Sequence, residues 1–183
     1  DEIREILRRI REVVADATRR AKESLDNLKR VVEEVDRRVK ESLDRLKEIV
    51  DRVRELSKRV TDKETVKELV ERIRKELDDS NEELRKLVRD VEKYLKDNVR
   101  RIAELVKKIE KELRDLLREI SRLPKDVVKR VEDEVRDIRR VLEEMVRRDK
   151  KVVDEIRERL KEAVRRNEEV SRKIKKDLKD ETK

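Results

Sequence analysis

The sequence contains no glycine, cysteine, histidine, tryptophan or phenylalanine, and it has one proline, one tyrosine and one methionine. Without cysteine or histidine it can form no disulfide, no thiolate or imidazole metal site and no catalytic group of either type. Without glycine it cannot carry a P-loop or a dinucleotide-binding fingerprint. No apolar run approaches the ~18 residues of a membrane span, and we expect no signal peptide.

Charged residues are instead abundant, at 58% of the 183 residues, against about 25% in an average domain. The apolar residues are nearly all Val, Leu and Ile at helical spacing, which is typical of long helices and not of disorder. The net charge of +8 could attract nucleic acid or anionic lipid. Both signs are interspersed, however, and only Tyr94 could stack on a base. We therefore expect neither nucleic acid nor a membrane as partner.

An 18-residue repeat organises the apolar positions. The segment KESLD at residues 22–26 recurs at residues 40–44. Apolar residues recur at the same interval in the series Val66, Leu84, Ile102, Ile120 and the series Ile138, Ile156, Ile174. Eighteen residues are five turns of an ideal α-helix, so the repeat predicts helices with little supercoiling. Each apolar stripe covers an arc of about 120°, which suits a helix that touches two neighbours.

Two places carry helix-boundary signals. Thr61–Glu64 has the T-x-x-E pattern of a capping box. Pro124 can occupy the first turn of a helix and end the preceding one. Helices are therefore predicted over about residues 1–60, 63–121 and 124–182. Because short connections force antiparallel neighbours, the predicted fold class is all-α, an elongated up-down-up three-helix bundle with nearly untwisted helices of about 60 residues each.

A single domain is predicted over residues 1–183, and one further break has to be weighed against it. Asp79–Glu83 also resembles an N-cap followed by a capping box. The 18-residue phase passes through this segment undisturbed, from Val66 to Leu84, whereas a loop would usually shift it. We therefore favour one continuous helix across it.

The carboxylates offer no catalytic pair. Glu143 and Glu144 are adjacent, and adjacent helical residues do not face each other. No histidine is present to activate a serine or threonine or to complete the Glu-x-x-His elements of bundle metal sites. We therefore predict no catalytic, cofactor-binding or metal site, no cofactor and no enzymatic activity.

The informative residues are the polar ones on the apolar stripes. Residues of the first two helices whose numbers sum to about 122 should lie level, as should those of the last two that sum to about 245. This register predicts two buried hydrogen-bonded layers. The first comprises Ser24, Asn27, Asn98 and Asp149, and the second comprises Ser42, Ser80, Asn81, Asn167 and Ser171. Chance scatter is the alternative interpretation.

Asp149 is the costliest member of these layers, because an unpartnered buried carboxylate is unfavourable. We expect it to accept hydrogen bonds from Asn98, Ser24 or a flanking Arg or Lys. Tyr94 lies at the edge of its stripe, and its hydroxyl should lie in water or be bonded across the bundle.

Segments such as KESLDNLKRVVEEV and KESLDRLKEIVDRV resemble those of de novo designed, parametrically generated three-helix bundles. The resemblance covers all 183 residues: equal helices, Val/Leu/Ile cores, Glu/Lys/Arg surfaces and polar core layers. The lack of glycine at helix ends departs from that pattern. The resemblance implies a structural scaffold with no natural ligand and no required partner, a monomer that could self-associate.

The alternative function is a helical interaction module that self-associates or binds a partner helix. Spectrin-like and apolipoprotein-like rods belong to this class. The core aromatics usual in the first and the regularly spaced prolines usual in the second are both missing.

We also expect high thermal stability. Strong helix formers, matched i,i+4 charges and mostly local contacts favour a melting midpoint in the hyperstable range, above about 90 °C. Circular dichroism at 222 nm during a thermal ramp measures it. A cooperative melt near ~55 °C, in the range of ordinary mesophilic domains, would contradict the idealised-bundle interpretation.

Overall fold

The structure, a computed structural model, describes residues 2–59 and 63–181, and this part of the chain contains three long α-helices. They are α1 (Glu2–Arg59), α2 (Lys63–Glu119) and α3 (Lys125–Glu181), with a 3₁₀ turn at Ile120–Arg122 after α2. The predicted all-α class is confirmed. Within the described residues there is no cis peptide bond and no residue with positive φ, and no helix is apolar enough over sufficient length to span a membrane.

The helix boundaries agree with the apolar pattern to within a few residues. Helix α2 continues through Asp79–Glu83 without interruption, as the phase of the repeat indicates. Thr61 and Asp62 of the predicted capping box lie outside the described residues.

Pro124 immediately precedes α3 instead of lying in its first turn. Its carbonyl accepts the N–H of Val128 at 3.1 Å, the first i→i+4 bond of α3. The residue before a proline is disfavoured in the helical region, and Leu123 is accordingly extended, with φ −80° and ψ 165°. The chain therefore leaves the helical conformation at Leu123 and re-enters it directly after the proline.

The packing divides the chain into two compact units, and each contains a stretch of all three helices. Unit 1 comprises Asp1–Leu28 and Lys93–Glu155, and unit 2 comprises Lys29–Glu92 and Ile156–Lys183. The single domain over residues 1–183 stays a prediction.

The core of unit 1 is formed by apolar side chains from all three helices. Its most buried members include Leu7, Val14, Leu113, Ile120, Val135 and Leu142. Glu110 accepts a hydrogen bond from Arg139 at 3.2 Å, and Asn98 donates one to Asp149 at 3.0 Å. Residue numbers fall along α2 as they rise along α3, so these two helices are antiparallel within unit 1.

The core of unit 2 is likewise formed by apolar side chains from all three helices. Its members include Leu43, Val50, Val70, Leu77, Ile174 and Leu178. Glu92 pairs with Arg157 at 2.9 Å, and Asp78 pairs with Lys175, which makes α2 and α3 antiparallel here too. Arg54 of α1 pairs with Asp177 of α3 at 3.2 Å.

Two buried polar clusters as the candidate functional site

Asp149 is a buried carboxylate in unit 1, with 6% of its surface exposed. It lies one turn from Met145 and one turn from Val153, both of them buried, so the stripe of α3 carries it into the core. Its Oδ1 accepts a hydrogen bond from Nδ2 of Asn98 on α2 at 3.0 Å. In the described part of the chain no arginine or lysine forms an ion pair with it, and the neutral amide of Asn98 is its observed partner.

Burial raises the pKa of Asp149 above its ordinary value, because the charged form loses its hydration, and the Asn98 hydrogen bond partly lowers the pKa again. The effect of burial is the larger, so the pKa is raised and Asp149 binds a proton more readily in the folded chain than in the unfolded one.

Ser24 and Tyr94 form a second link in unit 1, between α1 and α2. Their hydroxyl oxygens are 2.6 Å apart, and Tyr94 keeps 45% of its surface exposed. Of the two expectations for the Tyr94 hydroxyl, the bond across helices is the one the structure shows. Ser24, predicted beside Asp149, bonds to Tyr94 instead.

The cluster of unit 2 consists of Asn81, Asn167 and Ser171. Asn167 and Ser171 on α3 are almost completely buried, with 1% and 3% of their surfaces exposed. Nδ2 of Asn167 donates to Oδ1 of Asn81, and Nδ2 of Asn81 donates to Oγ of Ser171 at 3.3 Å. Three uncharged side chains thus bridge α2 and α3.

One atom of the unit 2 cluster has no partner among the described residues, the buried Oδ1 of Asn167. Exchanging the oxygen and nitrogen of that amide would not cure this, because the NH₂ group would then be the unpaired one. Asn167 is therefore the member of the two clusters that has a buried polar atom without a hydrogen-bond partner among the described residues.

Ion pairs flank the unit 2 cluster on its outer side. Arg85 of α2 donates to Glu168 of α3 at 2.9 Å, and Lys175 pairs with Asp78. Such exposed pairs contribute about 0–1 kcal/mol each. They line a shallow groove with Asn81 and Ser171.

Three other residues assigned to the layers take no part in these bonds. Ser42 and Ser80 are half-buried, and no described hydrogen bond joins either to the Asn81–Asn167–Ser171 cluster. Asn27 is exposed, so its assignment to a buried layer is wrong. The reason is angular: Asn27 follows the buried Leu25 by two residues, or about 200° around the helix.

The buried α3 residues of the two clusters occupy equivalent places in the repeat. Asp149 and Asn167 are 18 residues apart on α3, whereas their α2 partners Asn98 and Asn81 are 17 residues apart. The carboxylate of unit 1 is thus replaced by an amide in unit 2. Whether the clusters act as structural layers stays a prediction.

The chemistry that these clusters can support is limited. Asp149, the one buried acid among the described residues, faces an amide and not a second acid or a nucleophile. In the part of the chain that the structure describes, no group of three or more acidic side chains is arranged to hold a metal ion.

The fold defines the class: the protein is an all-α three-helix bundle. No protein-family model and no curated protein matches the chain. It is similar to a solved structure described as a "Computationally designed three helix bundle", with a TM-score of 0.53 at 15% sequence identity, covering 100% of this chain and 86% of that one. At this identity the likeness establishes a shared fold.

Proposed function

We propose that the protein is a designed structural scaffold with no catalytic or ligand-binding activity of its own. The observation that carries this proposal is how the buried polar groups are used. Asp149 is bonded to Asn98, and Asn167 to Asn81. They bind neighbouring helices and not a ligand. The fold shared with a computationally designed bundle supports the same conclusion.

A scaffold needs its helices held in one register, and the clusters supply a physical means. If α3 moved by one turn against α2, Asp149 would approach Leu95 or Ile102 in place of Asn98, and Asn167 would approach Leu77 or Leu84 in place of Asn81. Each stranded group would cost about 1–3 kcal/mol, which disfavours the shifted pairing.

The second candidate function, an interaction module, is favoured by one surface feature of α1. Val13, Val31 and Ile49 follow each other at 18-residue intervals and so lie on one line of the helix. Their exposed fractions are 49%, 50% and 39%. In unit 1 the line borders a groove whose apolar floor includes Ala17 and Ile102. A helix of another copy could cover such a line.

Light scattering after size exclusion separates the two functions. We expect a single species at the monomer mass of 22.3 kDa, unchanged across protein concentration, because the apolar stripes of each unit are already covered. A dimer or trimer would favour the interaction module.

The matched variant is Val31→Glu, which puts a charge in the middle of the exposed line of α1. It should leave the mass of a monomeric scaffold unchanged. If the parent chain is oligomeric and this substitution returns it to a monomer, the scaffold proposal gives way to the interaction module.

A further inference from the structure

The two polar clusters differ in charge although their α3 residues, Asp149 and Asn167, occupy equivalent places in the repeat. Asp149 carries a titratable carboxyl group in unit 1, whereas Asn167 carries a neutral amide in unit 2. Both residues are more than nine-tenths buried, at 6% and 1% exposure. Each bonds to an asparagine of α2. Among the described residues, Asp149 in unit 1 is the one buried side chain whose charge changes with pH.

No charged side chain among the described residues forms an ion pair with Asp149, whose partner is the neutral amide of Asn98. Asp16, Arg20 and Arg101 line the groove that also contains Ser24 and Asn98. Glu23 adjoins Ser24 on α1, Asp97 adjoins Asn98 on α2 one turn from Tyr94, and Arg148 and Lys150 adjoin Asp149 on α3. Several of these charged residues are engaged elsewhere: Arg148 with Glu144 at 2.8 Å, Asp97 with Arg100 at 3.4 Å. All of these charged or titratable neighbours are exposed except the half-buried Asp97.

We propose that Asp149 makes unit 1 a pH-responsive part of the fold: deprotonation loosens the packing around Asn98 and Asp149, while unit 2 keeps its packing at the same pH. The inference goes beyond the scaffold function, because it assigns different behaviour to two units built from the same repeat.

The direction follows from proton linkage. Because burial raises the pKa of Asp149 in the folded chain, the fold retains a proton that the unfolded chain releases. The stability that Asp149 contributes is therefore fully present below the unfolded pKa of about 3.9. It is lost as the pH rises through the folded pKa. The amide of Asn167 does not titrate, so its contribution to stability does not change over this pH range.

Native-state hydrogen exchange on the full chain tests this, with protection factors corrected for the intrinsic exchange rates at each pH. The measured quantity is the ratio of protection at residues 145–153 to that at residues 163–171. Raising the pH from about 4 to about 7 should lower this ratio, on the order of tenfold for each unit of pKa difference between folded and unfolded states. Charge effects shared by the whole chain cancel in the ratio.

Matched variants make the test decisive. Asp149→Asn keeps the size of the side chain and should make the ratio independent of pH. Asn167→Asp, examined first at acid pH where its carboxyl is protonated, should make unit 2 lose protection as the pH rises. Asp133→Asn removes an exposed carboxylate from the same helix and should leave the parent behaviour intact. A pH-independent ratio in the parent, or an unchanged pH response in Asp149→Asn, would overturn the proposal.

Discussion

Truncation of Leu113 to alanine should lower the free energy of unfolding by about 2–5 kcal/mol, the range for leucine removed from a packed core. Leu113 has 0% of its surface exposed and belongs to the core of unit 1. The loss combines the transfer free energy of the deleted carbons with the cavity left behind, because the surrounding core side chains of unit 1 relax only in part. Guanidinium denaturation followed by circular dichroism measures it.

Two controls accompany this truncation. Leu77→Ala removes an equally buried leucine from unit 2 and should cost a similar amount. Val31→Ala shortens a half-exposed side chain and should change stability by no more than about 0.5 kcal/mol. A loss below about 1 kcal/mol at both leucines would mean that these cores are not packed as described. If residues 1–183 form a single domain, each leucine truncation should reduce amide protection in both units.

Replacement of Asn98 by leucine should destabilise the chain by about 2–3 kcal/mol at neutral pH, because Asp149 would stay buried without its hydrogen-bond donor. Replacing both residues, as Asn98→Leu with Asp149→Val, should restore the stability of the parent or exceed it. A well-packed apolar pair removes the cost of burying a carboxylate.

The free energy of unfolding should be lower in the single variant than in the double variant, and the sign of this difference tests the prediction. Equilibrium denaturation in guanidinium measures both free energies. Ser24→Ala is the companion control, since Ser24 bonds to the exposed Tyr94 and should contribute less than about 1 kcal/mol. Equal, near-zero effects from the single and double changes would show that Asp149 faces water, in contradiction to its burial.

The helices were predictable because a repeat of 18 residues leaves few alternatives. Apolar side chains that return every five turns define a straight stripe, and this stripe continues through Ser80 and Asn81 without a change of phase. A loop there would have exposed Leu84, which is 4% exposed. The two compact units were not predictable, because the stripes run from one into the other with no change in composition.

The polar clusters were predictable in part. Stripe position and level together bring Asp149 to Asn98 and Asn167 to Asn81. The helix register alone gave a wrong prediction for Asn27, which lies at the height of Asp149 but is exposed and points away from the core. Ser24 was placed at the correct level, but its partner depended on the reach of the Tyr94 side chain, which no periodicity encodes. The unpaired carbonyl of Asn167 depends on side-chain torsions in the same way.

The backbone of the described residues, free of positive φ and cis peptide bonds, has a consequence for mutational mapping. Alanine adopts helical φ and ψ more readily than any other residue, so a substitution to alanine within α1, α2 or α3 adds no backbone strain. The measured change then reports what the removed side chain did, free of the conformational terms that complicate turns and glycine-bearing loops. A complete alanine scan of this chain would therefore give the contribution of each side chain to the free energy of unfolding along each helix. The period of these contributions could be compared directly with the 18-residue spacing of the sequence.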